Sequence, residues 1–337
     1  MKKTLTVFLL ALMVVTAVFA NGSQEASGTE ARTLVFIPKT TSSQFWVNIY
    51  NGTEAAAEEL GYNKVKFQGP SSGADVTGQI NIFNDVVTSR PDGILIAVTD
   101  MKSLKKPIEA AIAAGVPVVT VNSGIESDLV LAHVATDNYS AGAMAADALA
   151  EMIGETGTVI DIGVDPASET GRQRENGFRD TMTASYPKIK VLPVQYACGE
   201  VSKAMNITSD LLTGNPEVVG IYSAQDAGGT GAAQVLKQRN LKDSVKIVSF
   251  DSSPDEFALF LEGNLDAMVV QDPFNQGYKG VMAMDKVLNG EISASEFIET
   301  PVKIITKDNV GEKSNYDLLA SDANIKKMIE DAGIVIE

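Results

Sequence analysis

From residue 33 onward, short β-branched runs alternate with amphipathic stretches of helical length. The runs at 33–37, 64–67, 93–97, 117–121, 129–134, 158–162, 190–193, 218–222, 245–250, 267–270 and 302–305 predict strands. Between them, apolar residues recurring at helical spacing predict helices near 45–60, 76–89, 102–114, 139–153, 171–184, 201–213, 227–238, 254–262, 274–288 and 323–332. That alternation predicts parallel sheet covered by helices on both faces. Local punctuation agrees: Ala110-Ala111-Ile112-Ala113-Ala114 runs into Gly115, which is free to adopt the positive φ of a helix C′ residue, and Pro117 then opens a strand. About eleven strands are too many for one compact sheet in such a chain. The pattern therefore predicts an α/β protein of two doubly wound, Rossmann-like lobes. No long Gly/Ser or Pro-rich linker interrupts 32–317, so the lobes must be joined by ordered crossings, as hinge-connected domains are.

Composition then narrows the chemistry. The 337 residues are 45% hydrophobic and 21% charged, an ordinary globular balance. Acidic groups outnumber basic ones 43 to 27, and the resulting charge of −16 repels phosphate backbones, which argues against nucleic acid as a partner. A single cysteine, Cys198, and a single histidine, His133, exclude disulfide frameworks, Cys/His zinc sites and clusters of His ligands. Neither a metal nor a cofactor is called for. His133, between Ala132 and Val134 on an apolar strand, reads as structural, and Cys198 has no base nearby in sequence to activate it.

The first twenty residues carry an address. Lys2 and Lys3 precede an apolar run from Leu5 to Val18, and Val18-Phe19-Ala20 has the small residues of a cleavage site. This reads as a secretory signal peptide cleaved after Ala20, followed by a polar linker over 21–31; the apolar stretch is short for a span of about 20 residues. No cysteine follows it, so no lipid anchor is expected. Removing two lysines takes the charge to −18 and leaves one thiol in an oxidising compartment, which suits a free protein of the periplasm.

Several motifs recur in one order between 33 and 306. They are Phe45-Trp46, Gly115-Val116-Pro117-Val118-Val119-Thr120, His133-Val134-Ala135-Thr136-Asp137-Asn138, Arg174-Glu175-Asn176-Gly177-Phe178, Phe250-Asp251-Ser252-Ser253-Pro254-Asp255 and Gln271-Asp272. This series resembles the periplasmic sugar-binding proteins of the ribose-receptor type, the soluble substrate-binding subunits of ABC importers. The resemblance implies a type I periplasmic binding protein: two lobes joined by three hinge crossings, with a sugar in the cleft and closure on binding. The crossings should then fall near Asp137, near Gln271 and near 303–306. Lobe 1 would combine 32–136 with 272–302, lobe 2 would combine 137–271 with 303–317, and 318–337 would form a helical C-terminal tail of no assigned function.

A sugar site needs an aromatic face for the C–H side of the ring and planar polar groups that fork onto neighbouring hydroxyls. An unpaired hydroxyl in a dry cleft costs roughly 1–3 kcal/mol, so the polar groups discriminate as well as bind. Phe45 and Trp46 stand just past a strand end, where doubly wound sheets place ligands, and the resemblance makes both ring contacts; adjacent aromatics at a helix start also suit a lobe core. Asp251 ends a strand and matches a sugar-binding carboxylate, although it could instead cap the following helix. Arg174 offers a planar fork, with a surface ion pair as the plainer alternative. Gln271 corresponds to a hinge-side amide that touches the ligand, and Gln225 stands where the ribose receptor has Asn. Asp226 follows as a further contact or as a helix cap. Lys39 and Ser43 occupy contact positions in the first loop.

Departures from the family pattern matter equally. Asn122-Ser123 replaces the Asp-Arg pair of the ribose receptor, which argues against ribose bound in the same pose, and Cys198 or Gly199 falls where that receptor supplies a phenylalanine. Ile37-Pro38-Lys39 with Gly69-Pro70 is similar to receptors of furanosyl quorum signals, whose lysine touches the ligand, but their other contacts are not clearly reproduced. Two other classes fit the sequence poorly. An enzyme lacks support: no Gly-x-Ser-x-Gly elbow is present, and Ala227-Gly228-Gly229-Thr230-Gly231 has neither the Lys-Ser/Thr of a P-loop nor dinucleotide spacing. A sugar-responsive regulator is opposed by the signal peptide, the acidity and the absence of an N-terminal helix-turn-helix. The expectation is a monomeric receptor for a monosaccharide or related polyol that delivers it to an ABC permease. A chemoreceptor, the other partner open to such proteins, leaves no mark in the sequence.

Overall fold

A computed structural model describes residues 31–337, so the expected signal peptide and all but the last residue of the linker lie outside the described residues. In chain order the elements begin with β1 (Leu34–Ile37), α1 (Gln44–Glu59), β2 (Lys66–Phe67), α2 (Val76–Thr88), β3 (Gly93–Ile96), α3 (Met101–Ala113), β4 (Val118–Val121) and β5 (Ala132–Ala135). They continue through α4 (Asn138–Met152), β6 (Gly157–Gly163), α5 (Glu169–Ser185), β7 (Ile189–Val191), β8 (Gln195–Tyr196), α6 (Val201–Gly214), β9 (Val218–Ser223), α7 (Asp226–Arg239), β10 (Lys246–Phe250), α8 (Pro254–Leu261) and β11 (Ala267–Gln271). The last are α9 (Pro273–Leu288), β12 (Glu296–Glu299), β13 (Val302–Thr306), α10 (Lys313–Leu319) and α11 (Ala323–Asp331).

Two sheets result, with orders β12-β5-β4-β3-β1-β2 and β13-β11-β10-β9-β6-β7; β8 also pairs with β6. All pairings are parallel except that of β13 with β11. Each sheet thus reverses direction of winding beside its first strand, between β1 and β3 in lobe 1 and between β6 and β9 in lobe 2. Crevices at the carboxyl ends of such neighbouring strands are where open α/β sheets bind ligands. The central strands are buried on both faces, as the burial of Leu34 to Ile37 and of Ile94 to Ala97 shows. All eleven sequence-predicted strands are present. Two strands and one helix were not foreseen. β8 is only two residues long, β12 has three of its four residues exposed, and α10 makes barely two turns.

The chain passes between sheets after β5, after β11 and between β12 and β13. Asp137 and Asp272 stand at the first two passages and cap the next helix, accepting from the backbone N–H of Ser140 and of Asn275, each at 3.0 Å. The third passage differs from the expectation. β12 pairs with β5 of lobe 1 while β13 pairs with β11 of lobe 2, so the passage falls at residues 300–301, and 303–306 lies within β13. The exposed Glu296, Phe297 and Glu299 around a half-buried Ile298 hide the last lobe 1 strand from pattern reading. The C-terminal residues are also part of lobe 2: Leu319, Ile325 and Ile329 are buried in one cluster with Phe257 and Phe260. Glu337 donates to the carbonyl of Gly311 and accepts from the N–H of Lys313, both at 2.9 Å.

Each lobe is held by one close helix pair. In lobe 1, α1 meets α9 so tightly that a Cβ on Gly277 would lie 1.9 Å from the carbonyl oxygen of Ile49, and one on Gly52 would lie 1.9 Å from that of Phe274. In lobe 2, Gly177 of α5 stands in the same relation to Tyr139, again at 1.9 Å. Backbone on both sides leaves no flexible group to give way. Gly277→Val is therefore expected to cost about 3 kcal/mol or more, read as a lowered midpoint in urea; a loss below about 1 kcal/mol would show that the helices separate freely.

Candidate ligand-binding cleft

A cavity of about 840 Å³ is lined by both lobes. The loops after the switch-point strands supply Lys39 and Thr99 from lobe 1 and Asp165 and Gln225 from lobe 2; Asn122 follows β4, Asp251 follows β10 and β11 ends on Gln271. Of the eleven sequence-predicted contacts, Lys39, Ser43, Phe45, Trp46, Asn122, Arg174, Gln225, Asp226, Asp251 and Gln271 line it. Ser123 does not. Its hydroxyl is fully buried and donates to the carbonyl of Val98 at 2.7 Å, because Asn122 takes a φ of 67° and turns the next residue back into lobe 1.

The same turn occurs in both lobes. Asn122 after β4 and Asp251 after β10 (φ 74°) are both left-handed, a region that Asn and Asp enter more easily than other L-residues. Each donates its backbone N–H to the neighbouring strand, Asn122 to Val134 at 2.8 Å and Asp251 to Val269 at 2.9 Å. Their side chains are thereby turned toward the cavity. Capping of α8 falls to Ser253, whose hydroxyl accepts from the N–H of Glu256, so Asp251 is not consumed as a cap.

A chain of polar contacts crosses the hinge. Asn122 donates to Gln276 Oε1 at 3.2 Å, Gln276 donates to Gln271 Oε1 and to the Thr136 hydroxyl at 3.3 Å, and Gln271 donates to Asp251 Oδ1 at 2.5 Å. Arg174 closes it, with Nη1 3.6 Å from Asp251 Oδ2. Its other bonds run from Nε to Asn138 Oδ1 and from Nη1 to the Ala224 carbonyl, both at 2.8 Å, and its guanidinium lies 4.1 Å from the centre of the Phe250 ring. Although Arg174 is only 4% exposed, Nη2 has no hydrogen-bond partner among the described residues. A rigid fork with one free edge facing a cavity is suited to a ligand oxygen. Gln225 Nε2 and Thr99 Oγ1, on cavity-lining residues, are also buried without partners. Buried polar groups are normally paired, so these two stand out beside the cavity.

Trp46 answers to both readings of the sequence. It is buried in the lobe 1 core, packs edge-on against Phe45 at 5.1 Å and still borders the cavity. Charge in the cavity is concentrated on lobe 2. Burial, helped by the Arg174 guanidinium, pulls the Lys39 ammonium down to about 8 against the pull of Glu169, Asp165 and Asp251. Burial and the adjacent Asp251 push Asp226 up to about 6; Asp226 sits in the first turn of α7. Cys198 and Gly199, both with positive φ, also border the cavity, and no aromatic stands there. His133 bonds Thr120 through Nδ1 at 2.8 Å and lies against Phe297, outside the cavity lining. Thr99, Asn138 and Gln276 escaped the sequence reading. Thr99 follows a predicted strand, which was a usable signal, whereas the other two act through partners 36 and 154 residues away.

The helix that presents Arg174 is anchored by a second polar group beneath the sheet. On α5, Arg179 donates to Asp161 of β6 at 2.7 Å, and Glu175 accepts from the Tyr196 hydroxyl at 3.2 Å. Asp161 Oδ1, Glu175 Oε1 and Tyr222 Oη are buried without partners. Burial pushes Asp161 up to about 6, against Arg179, and burial together with Asp161 pushes Glu175 up to about 7.

Two lobes, three passages and a polar cleft at the hinge define a protein that encloses a small solute. The sequence profile of the periplasmic binding protein domain matches residues 34–292, and the chain belongs to that family. It is 29% identical to the ribose import binding protein of Escherichia coli over 294 residues, covering 87% of this chain and 97% of that protein. A carbohydrate transporter solute-binding protein from Agrobacterium radiobacter, in complex with D-arabinose, superposes with a TM-score of 0.81 at 32% identity, covering 86% of this chain and 99% of its own. An ABC transporter solute-binding protein from Agrobacterium vitis, bound with α-D-tagatopyranose, gives 0.80 at 30% identity, with 85% and 98% covered. The protein is a sugar-binding solute receptor of the ABC importer class, and these relatives are binding proteins.

Proposed function

We propose that the protein is a periplasmic receptor that encloses a monosaccharide, or a sugar-like polyol, and delivers it to an ABC permease without altering it. The observation that carries this reading is the hinge-side chain Asn122, Gln276, Gln271, Asp251 and Arg174, which sets amides, a carboxylate and a guanidinium edge around one cavity. Amides and carboxylate accept or donate to neighbouring hydroxyls, and Phe45 with the edge of Trp46 meets the C–H face of the ring. Closure follows from differential affinity: a ligand touching both lobes favours the state in which they meet. The protein acts as a monomer in this reading, and binding is its whole chemistry.

Trp46 is the only tryptophan, so its fluorescence reports on this cavity directly. Titrating pentoses, hexoses, deoxysugars, inositols and polyols into the chain from Asn21 onward is expected to give one saturable change and a rise in melting temperature. An affinity near 1 μM corresponds to about −8 kcal/mol, within reach of a few hydroxyl forks and one ring contact. Denaturing the complex should release the ligand unchanged. Silence in both fluorescence and melting across the panel would remove the sugar assignment. Lys39 does line the cavity, so a furanosyl signal belongs in the same titration.

A further inference from the structure

The cavity is larger than its hinge-side polar groups require. A pyranose has about a dozen non-hydrogen atoms, a fraction of the drug-sized molecules that pockets of roughly 300–1,000 Å³ enclose, and this cavity measures about 840 Å³. The size does not come from lobes held fully apart, because Glu169 of α5 already accepts from the backbone N–H of Gly124 in lobe 1 at 2.7 Å. Nor does the hinge-side chain reach all of the lining. Leu318, Leu319, Ser321 and Asp322, from the C-terminal segment, border the same cavity and share no hydrogen bond with that chain. Space is also left open at Gly199 of the same lining, where a Cβ would meet nothing within 4 Å.

Resting on the sugar-receptor reading, we infer that the C-terminal segment builds a second subsite and that the preferred ligand is a glycoside: a sugar carrying a second sugar unit or a comparable polar aglycone. Asp322 supplies the polar half. Its Oδ1 caps α11, accepting from Asn324 N–H at 2.8 Å and Ile325 N–H at 3.3 Å, while Oδ2 has no hydrogen-bond partner among the described residues. The residue is only 4% exposed and borders the cavity, so the free oxygen is available there to a hydroxyl donor. Leu318, 9% exposed and backed by the buried Leu319, supplies an apolar side beside it, the pairing that a sugar ring with one C–H face and one hydroxyl edge requires. Ser72 lines the same cavity from lobe 1, so closure would enclose the second unit between the lobes.

Calorimetric titration tests this with D-ribose, D-xylose, D-glucose and D-galactose, their methyl and phenyl glycosides, and xylobiose, cellobiose, maltose, lactose and melibiose. One extended ligand is expected to bind at least tenfold more tightly than its parent monosaccharide. Ser321→Trp, which fills the subsite, should erase that advantage while moving the parent's affinity less than threefold. Ser72→Trp fills it from the opposite lobe and serves if the first variant fails to fold. A parent sugar that binds while every extended ligand binds no better overturns the subsite and leaves the receptor reading standing. An advantage that survives both tryptophans places the second unit elsewhere and overturns the assignment. No binding by any of these compounds overturns the subsite, and the receptor reading falls with it only where the wider panel of the Trp46 titration is silent as well.

Discussion

Arg174→Ala is expected to weaken ligand binding by roughly 10-fold to 150-fold, the range that follows from about 1.5–3 kcal/mol for a hydrogen bond from a charged group that the ligand loses. The reason lies in how the side chain is held. Nε and Nη1 are fixed by Asn138, Ala224 and Asp251, and the ring of Phe250 backs the guanidinium, so the free Nη2 edge presents itself without further loss of rotamer freedom. Truncation removes the fork and leaves Asp251 with Gln271 as its remaining partner. Arg174→Lys should fall between the two, since one ammonium cannot satisfy Asn138 and the Ala224 carbonyl with the geometry of a planar fork. Calorimetry with the ligand found by the Trp46 titration, alongside circular dichroism to confirm folding, decides the matter. If folded Arg174→Ala binds within threefold of the parent protein, Arg174 is a structural strut.

Glu175→Gln should make the protein more stable at pH 8, by about 2 kcal/mol, with the gain shrinking below about 1 kcal/mol at pH 5. Glu175 is 6% exposed, and burial first, then the neighbouring Asp161, raises its carboxyl to about 7. An acid whose folded pKa is raised holds its proton more firmly in the folded chain, so its ionisation opposes folding increasingly from the ordinary carboxyl range upward and fully above about 7. The opposition is relieved as pH falls through about 7 toward the ordinary carboxyl range. Glutamine removes the ionisation and offers a donor to a cluster in which Asp161 Oδ1 and Glu175 Oε1 have none. Burial lowers the pKa of His133, which works in the opposite direction below its ordinary value, but it is common to both proteins and cancels in their difference. Urea midpoints at pH 5 and pH 8 measure that difference. Parallel shifts at the two pH values would mean that the cluster does not titrate between them.

Legibility of the site followed the distance over which each residue acts. Asp251, Gln271 and Gln225 could be found because each ends or directly follows an apolar strand, and strand ends in a doubly wound sheet are where ligands lie. Asn122 and Ser123 are adjacent and were read alike, yet a left-handed turn at Asn122 sends one side chain to the cavity and the other to the carbonyl of Val98. Nothing in a dipeptide reveals that sign of φ. Gln276 looks like any polar residue on a helix; its importance arises from Asn122, Thr136 and Gln271, which the fold brings to it from other elements. The C-terminal segment carried a helical pattern, but the pattern says nothing about which wall a helix will complete.

By itself, the sequence determined the α/β class and the two doubly wound lobes, and it pointed to Asn122, Arg174, Gln225, Asp251, Gln271 and the aromatic pair as contacts. The lobes rest on local periodicity, a property of short segments, and the candidate contacts on strand ends and on the family's series of motifs. Only the tertiary structure decided that the third passage falls before β13, that Ser123 turns away, that one edge of Arg174 is free, and that residues 318–322 border the cleft. Each of these depends on packing between segments distant along the chain, where a buried polar group finds its partner or is left without one, and local propensity does not encode that pairing.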